Sequence, residues 1–147
     1  MAYWLFKSEP GTWSWDDQVA KGAAGEEWDG VRNYQARNNM RAMKVGELGF
    51  FYHSVNEKRI VGVVEVSAGA HPDSTTDDAR WECVDIRAVA PFESPVSLDD
   101  IKADPELAEM ALVKQSRLSV CPVTADEWTR ICRMGGVSQK ALKAARA

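Results

Sequence analysis

Long hydrophobic runs are absent from this 147-residue sequence. No segment approaches the roughly 18 consecutive apolar residues that a membrane-spanning helix needs. The first residues also lack the basic stretch, apolar stretch and small-residue cleavage site of a secretory signal. We therefore expect no membrane contact and predict a cytoplasmic protein. With 45% hydrophobic and 27% charged residues, the composition is typical of a single globular domain, which we expect to span residues 1–147.

Cysteine and histidine are scarce. Cys83, Cys121 and Cys132 are widely spaced, form no C-x-x-C pair, and are accompanied by only two histidines. This pattern lacks both the even number expected of a disulfide framework and the ligand spacing of a zinc site. We predict free, mostly buried thiols, with no metal and no cofactor.

Common catalytic motifs are missing as well: the sequence contains no G-x-x-x-x-G-K-[ST], G-x-G-x-x-G or H-E-x-x-H. Two catalytic alternatives stay open. His53 could activate Cys83 or Cys121 as a nucleophile, and Glu9 with His53 could form the acid–base pair of a hydrolase or nuclease. Because a metal-dependent nuclease normally has several clustered carboxylates, we rank both below a binding function and predict that the protein is not an enzyme.

The sequence also has no excess of positive charge. Its formal net charge is −4, whereas proteins that coat nucleic acid by neutralising phosphates usually carry a clear basic excess. Any contact with nucleic acid must therefore be local. One segment offers such a local patch, with basic side chains at Arg32, Arg37, Arg41 and Lys44.

Tryptophan, by contrast, is abundant: six occur, at positions 4, 13, 15, 28, 81 and 128. We expect most of these rings in the core, because each buries a large area. A pocket for a flat ligand is the alternative for the others.

Periodicity and capping residues predict an α+β domain with a small curved sheet or barrel, because four or five strands are interrupted by short helices without regular alternation. The predicted strands are 3–7, 48–53, 59–66 and 80–89, the last with a bulge where its apolar residues change phase. The predicted helices are 15–21 after Ser14, 33–43 capped by Asn33, two that start at Ser97 and Thr124, and 139–147 as a helix or frayed end. Residues 22–30 and 68–78 are predicted loops.

The segment from Trp28 to Arg37 combines a flat ring, a glycine, an amide, a phenol and two arginines at a predicted loop-to-helix junction. Recognition of a single base needs rings to stack on it, amide and hydroxyl groups to contact its edge, and arginines for the flanking phosphates. The segment thus indicates base recognition. A lid over the core with structural ion pairs is the alternative interpretation of the same residues.

Four motifs, in this order, strongly resemble the EVE domain of the PUA-like superfamily: YWLFKSEP at 3–10, WDGVRNYQARN at 28–38, FFYHS at 50–54 and SRLSV at 116–120. The resemblance runs from Tyr3 to about Arg133. It implies a twisted, barrel-like mixed sheet of about five to six strands surrounded by short helices. It also implies a pocket between the sheet and the helix after Tyr34, as in the YTH readers of methylated adenine.

The resemblance further implies a set of ligand-binding residues. Ring contacts are expected from Trp28, Tyr34, Tyr52 and Trp81. Polar contacts to the base edge are expected from Ser8, Glu9, Asn33, His53 and Ser54. Phosphate contacts or loop contacts are expected from Lys7, Arg32, Arg37 and Arg117, and Val31, Ser116 and Leu118 complete the set.

From these observations we predict a binding module that reads a modified nucleobase in DNA or RNA, most simply a modified cytosine, with methylated adenine as the second choice. Given the net charge of −4, affinity must come from base stacking, about 1–3 kcal/mol per base, and from a few local ion pairs. A sensor of a free nucleotide-like small molecule that uses the same pocket is the alternative.

Overall fold

A six-stranded mixed β-sheet is the framework of the protein, which a computed structural model describes over residues 1–146. The strands are β1 (Tyr3–Ser8), β2 (Glu26–Glu27), β3 (Leu48–His53), β4 (Arg59–Pro72), β5 (Glu82–Ser97) and β6 (Val120–Val123). The helices are α1 (Trp15–Ala20), α2 (Tyr34–Ala42), α3 (Leu98–Ala103), α4 (Ala111–Lys114), α5 (Ala125–Met134) and α6 (Gln139–Arg146). Short 3-10 turns lie at Gly22–Ala24 and Pro105–Leu107.

The strand order in the sheet is β2-β5-β4-β3-β1-β6. Strands β1 and β3 are parallel, and their last residues, Ser8 and His53, lie opposite each other. All other neighbouring strands are antiparallel. The sheet is twisted and open, with β2 and β6 as its outer strands. The expected α+β fold is confirmed. The six strands agree with the five to six that the resemblance implies, and exceed the four or five that the sequence pattern predicts.

Strands β4 and β5 are much longer than the sequence pattern predicts, with 14 and 16 residues. Their pairing shifts register at several points, including between Val66 and Ala68 and between Ala68 and His71. Each bulge adds a residue and breaks the alternation by which a strand is recognised. The prediction of a loop at 68–72 was therefore wrong. The prediction of a loop at 26–27 was also wrong, because β2 has only two residues and is too short to show the alternation of a strand.

The helix starts were predicted more accurately. Ser14 and Thr124 both form complete capping boxes, with Asp17 and Glu127 respectively. The Asn33 side chain accepts a hydrogen bond from Ala36 N at 2.9 Å, so α2 begins at the next residue. Residue 147 of the predicted C-terminal helix lies outside the described part of the chain. No helix within residues 1–146 is long and apolar enough to cross a membrane.

The core is rich in stacked rings. Trp128 stacks on Phe50 with centroids 4.1 Å apart and on Tyr3 at 4.5 Å. Trp4, Trp28 and Trp128 are buried, and the other three tryptophans are partly buried. All three cysteines are buried and free, which confirms the prediction of reduced thiols.

One buried carboxylate, that of Glu47, joins the N-terminus to the turn before β3. It accepts hydrogen bonds from Ala2 N at 3.1 Å, Trp4 Nε1 at 3.0 Å and Lys44 N at 2.9 Å. Burial favours a raised pKa, but the bonds from Lys44, Trp4 and Ala2 outweigh it, and the pKa of Glu47 is lowered. Its charged form is therefore stabilised by folding.

We expect Glu47→Ala to lower the free energy of unfolding by about 2–3 kcal/mol, because three donors lose a charged acceptor. Urea denaturation at pH 7 measures this loss. Because the pKa of Glu47 in the folded protein is lower than its ordinary value of 4.5, this stabilisation is complete at neutral pH. It is lost as the pH falls below 4.5 and through the pKa of the folded protein. Glu109→Ala is the matched control, since the Glu109 side chain is 85% exposed, and should change stability little. Equal losses of unfolding free energy in the two variants would contradict a stabilising role of the Glu47 carboxylate.

Candidate functional site

A cavity of about 620 Å³ lies at the end of β1. This volume is in the range of small-ligand sites. Its wall is formed by the end of β1, the loop that follows, and the segment from β2 toward α2. The lining residues are Lys7, Ser8, Glu9, Thr12, Trp13, Glu26, Glu27, Trp28, Asp29, Gly30, Val31, Arg32 and Ser119.

The Trp28 ring is the buried aromatic part of the wall. It packs edge-on against Phe6 with centroids 5.4 Å apart and against Phe51 at 5.7 Å, and its backbone N–H donates to Val84 O at 2.8 Å. Three different strands therefore hold it. Since only 9% of Trp28 is exposed, it presents a narrow aromatic surface whose position is fixed before any ligand arrives.

Trp13 supplies a second ring, which the sequence pattern did not predict as part of the site. Its indole N–H donates to Gln18 Oε1 at 3.0 Å, and the fully buried Gln18 donates in turn to Ile86 O at 3.0 Å. This chain of hydrogen bonds anchors Trp13 to β5 through α1. The cavity thus has two indole rings with independent supports.

The rim of the cavity is held by Asp73, which is only 2% exposed. Its carboxylate accepts from Gly30 N at 2.8 Å and Arg32 Nη1 at 3.1 Å, and from Thr75 N at 2.8 Å and Thr75 Oγ1 at 2.5 Å. Burial favours a raised pKa, but the hydrogen bonds from Thr75, Gly30 and Arg32 outweigh it and lower the pKa of Asp73 to about 2. Gly30 has φ of +77°, a conformation that suits glycine.

The cavity wall is predominantly acidic. Four carboxylates, those of Glu9, Glu26, Glu27 and Asp29, line it with only two cations, Lys7 and Arg32. Burial, followed by the nearby charges of Asp73, Glu27 and Glu26, raises the pKa of Asp29.

Two of these carboxylates are free to act on a ligand. Within residues 1–146, the side chains of Glu9 and Asp29 make neither a hydrogen bond nor an ion pair. The Lys7 ammonium points away to Ser116 O at 2.9 Å, and burial lowers its pKa. The free acceptors suit a ligand that carries N–H donors, whereas a phosphate in the cavity would be repelled.

Beside the cavity lies an exposed arginine–aromatic patch, formed by Arg32, Tyr34, Arg37, Arg80 and Trp81. Tyr34 stacks on Trp81 with centroids 5.0 Å apart. Arg32 lies 5.5 Å from the Trp81 ring and Arg37 lies 4.8 Å from the Tyr34 ring, while Arg80 Nη1 donates to the Tyr34 hydroxyl at 3.2 Å. Three guanidinium groups are thus held near one another at the surface. Arg32 is paired with Asp73 and Arg80 with Asp78, whereas Arg37 makes no ion pair within residues 1–146 and suits an anion best.

A separate depression of about 330 Å³ contains another group of the expected residues. Its lining includes Asn33, Ser116, Arg117 and Leu118, together with Gln35, Lys114 and Gln115. It is connected to the cavity through the contact of Lys7 with Ser116. Asn33 is occupied as the cap of α2, so its side-chain oxygen is already used.

The expected residues of β3 do not line the cavity. Tyr52 is in the core, where burial, followed by the charge of Asp99, raises its pKa to about 12. His53 Nε2 accepts from Trp15 N at 3.0 Å, so Nδ1 carries the proton and donates to Glu57 Oε1 at 2.9 Å. Both nitrogens are engaged, which leaves neither for an acid–base pair with Glu9. Ser54 contacts Ser8 through its backbone N–H.

The structure therefore divides the expected set into the cavity, the patch, the depression and the core. The residues in the cavity are Lys7, Ser8, Glu9, Trp28, Val31 and Arg32. The lining residues that the sequence pattern did not predict are Thr12, Trp13, Glu26, Glu27, Asp29, Gly30 and Ser119, and the anchor Asp73 was not predicted either. Asp29 and Gly30 lie inside the motif at 28–38 and could have been included; Asp73 is in a polar turn without any distinguishing signal.

Known proteins share this architecture. The family model of the EVE domain matches residues 2–134. Mouse (Mus musculus) thymocyte nuclear protein 1 is 35% identical in an alignment that covers 86% of this chain and 70% of that protein. A protein of Agrobacterium tumefaciens of known crystal structure is 61% identical, with a TM-score of 0.93 over 95% of this chain and 96% of that one.

The structure of human THYN1 protein in complex with 5-methylcytosine containing DNA is also similar. It is 32% identical, with a TM-score of 0.86, and the match covers 94% of this chain and 99% of that one. The family model and these proteins match nearly all of the sequence and the whole sheet. The chain therefore belongs to the EVE-domain family.

Proposed function

We propose that this protein reads a modified nucleobase in a nucleic acid strand, with modified cytosine as the first candidate. The observation that supports this most directly is the cavity of about 620 Å³ with two indole rings and free carboxylates. The similar human THYN1 protein has been solved with DNA that contains 5-methylcytosine. The cavity of this chain offers the chemistry that a flipped cytosine needs.

In this proposal the base enters the cavity beside Trp28 and Trp13. Stacking on an aromatic ring contributes about 1–3 kcal/mol per base. The exocyclic amino group of cytosine donates hydrogen bonds, and carboxylates such as those of Glu9 and Asp29 accept them. Adenine also carries an exocyclic amino group, which makes methylated adenine the second candidate.

A methyl group on the base would be favoured through contact with the apolar lining, in which Val31 is the aliphatic residue. Burial of one methyl group contributes about 0.8 kcal/mol, a factor of about four in affinity. We therefore expect a modest preference from burial alone. A larger preference requires that the cavity also fits the unmodified base poorly.

The phosphates of the strand lie outside the cavity in this proposal, over the arginine–aromatic patch. The acidic wall repels phosphate, and Arg37, whose guanidinium group has no carboxylate partner within residues 1–146, attracts it. This separation favours a base within a polymer over a free nucleotide, whose phosphates would be close to the carboxylates. It also predicts affinity that falls as salt increases.

Fluorescence anisotropy at low salt tests the proposal with matched short DNA and RNA strands. The strands carry cytosine, 5-methylcytosine, adenine or N6-methyladenine at one central position. We expect tighter binding of one modified strand, by at least about fourfold. Equal, salt-sensitive binding of all strands would overturn the proposal. A free nucleoside that competes as strongly as the best strand would instead support a small-molecule sensor.

Arg37→Ala should weaken binding to every strand by a similar factor and leave the preference for the modified base unchanged. Arg37 belongs to the patch and not to the cavity, so its removal costs a phosphate contact without changing base recognition. The slope of log K against log[salt] should decrease in magnitude by about one. Anisotropy titrations at several salt concentrations measure both quantities.

Lys143→Ala is the control for charge, because Lys143 is exposed on α6 and belongs to neither the cavity nor the patch. It removes the same charge and should have a much smaller effect. A changed ratio between modified and unmodified strands in Arg37→Ala would show that the patch contacts the base itself.

A further inference from the structure

Three potential metal ligands of different chemistry meet at the β2 side of the sheet. Glu27, His71 and Cys83 each bring one ligand atom to within 4.8 Å of the others. They come from β2, β4 and β5, and they are 44 and 12 positions apart along the chain. The sequence spacing therefore gave no indication of this cluster.

The pairing of the strands fixes these side chains on one face. His71 lies directly opposite Cys83, and Glu27 lies opposite Asp85. Because Cys83 and Asp85 are two residues apart on the same strand, they point to the same side of the sheet. Hydrogen bonds of the backbone thus hold the cluster together without any metal.

Neighbouring groups orient two of the ligands further. Glu27 accepts from Ser74 N at 2.7 Å and from Ser74 Oγ at 2.6 Å, which holds its carboxylate beside Cys83. His71 Nε2 lies 2.8 Å from Asp85 Oδ1, and Nδ1 lies 3.0 Å from Pro72 O. A carboxylate that contacts the imidazole of a ligand is the usual support of a metal-binding histidine.

We propose that Glu27, His71 and Cys83 bind a divalent transition metal ion of the zinc class. Bond lengths of about 2.0–2.3 Å from zinc to oxygen, nitrogen and sulfur place tetrahedral ligand atoms about 3.5 Å apart. Cys83 Sγ and Glu27 Oε1 are already 3.3 Å apart. His71 has to exchange one of its two present contacts for the ion, a movement of about 1 Å by the same geometry.

The set of ligands selects the class of ion. Thiolate and imidazole bind zinc and similar ions well, whereas calcium and magnesium prefer oxygen ligands. Cys83 is fully buried. A cysteine binds such an ion as the thiolate, so the ion takes the place of the thiol proton. Three protein ligands leave a fourth position for Asp85 or water.

The site adjoins the cavity, because Glu27 also belongs to the cavity wall. A bound ion would reduce the negative charge of that wall and fix β2 to β4 and β5. Binding of the ion itself does not depend on the proposed base recognition, and it can be measured without any nucleic acid.

Titration of Co(II) into the reduced, metal-free protein tests the proposal, since Co(II) replaces zinc and reports its ligands in the absorption spectrum. We expect one equivalent to bind, with a thiolate-to-cobalt charge-transfer band and the intense visible bands of tetrahedral coordination. Zn(II) should displace the cobalt. A protein that gives no charge-transfer band would overturn the proposal.

Variants identify the ligands. Cys83→Ser should abolish the charge-transfer band, and His71→Gln should weaken Co(II) binding at least about tenfold. The His71 side chain is 34% exposed, so His71→Gln is expected to fold even where Cys83→Ser does not. Cys132→Ser is the matched control, because Cys132 is equally buried but belongs to α5. A band that persists in both Cys83→Ser and His71→Gln, or that disappears in Cys132→Ser, would contradict the assignment.

Discussion

Asp73→Ala should lower the free energy of unfolding by about 2–4 kcal/mol, because three donors and the exposed Arg32 guanidinium lose a buried charged acceptor. The same change should weaken binding of the preferred modified strand at least about thirtyfold, since about 2 kcal/mol of ordering is then needed to restore the rim. The rim from Asp29 to Arg32 is fixed to the turn at 73–75 through the Asp73 carboxylate and through a hydrogen bond from Arg32 Nη2 to Thr75 Oγ1 at 3.3 Å. Urea denaturation and anisotropy measure the two losses separately.

Two further variants sharpen this test. Asp77→Ala changes an exposed carboxylate in the same turn, one without a side-chain hydrogen bond or ion pair in the described chain, and should leave both quantities nearly unchanged. Asp73→Asn keeps the size of the side chain but provides one acceptor oxygen, so it should be intermediate. A loss of stability with unchanged affinity of the folded protein would show that the rim takes no part in binding.

Local patterns in the sequence were sufficient for most of the secondary structure. Strand β3 and the start of β1 are continuous hydrophobic or alternating runs, and each major helix begins at a capping residue. These signals act over a few positions, which is why they can be recognised without the fold. Bulges are different, because the extra residue changes the phase of the hydrophobic alternation. The part of β4 beyond the bulges could therefore not be recognised as a strand from the sequence.

The cavity could be predicted only in part for a related reason. Trp28, Val31 and Arg32 are neighbours in one motif, so one interpretation of that motif named three residues that line the cavity. Asp73 reaches the same rim from more than 40 positions away, and its hydrogen-bonding partners are not evident from the residues around it. Long-range contacts of this kind depend on the pairing of β4 with β5, which the sequence pattern did not predict in full.

The placement of Tyr52 and His53 shows another limit. Alternation along a strand separates its two faces, but it does not tell which face adjoins a cavity. In β3 every residue from Leu48 to His53 is buried, and the pairing with β4 shifts between Phe51 and Tyr52. Because both faces of β3 are covered and its register is interrupted, the polar character of His53 does not indicate whether its side chain lines the cavity. His53 instead binds α1 to the sheet through Trp15.

Trp28→Ala should weaken binding of the modified strand by a factor of about 5–150, which corresponds to the loss of about 1–3 kcal/mol of stacking. It should also cost about 3–5 kcal/mol of stability, because Trp28 is buried against Phe6 and Phe51. The affinity of Trp28→Ala must therefore be measured at a temperature at which circular dichroism shows this variant to be folded. Trp28→Phe keeps part of the packing and should retain more stability while still weakening binding.

Trp15→Phe distinguishes the loss of ligand contact from the loss of stability. Trp15 also packs edge-on against Phe51, at 5.5 Å, but it does not line the cavity. Both phenylalanine variants remove part of an indole ring that packs against Phe51, and the partly buried Trp15 should lose no more stability than the buried Trp28. If only Trp28→Phe weakens binding, the cavity is the site that holds the base. If both weaken it equally, affinity follows the stability of the domain, and the base must be held elsewhere, with the arginine–aromatic patch as the next surface to test.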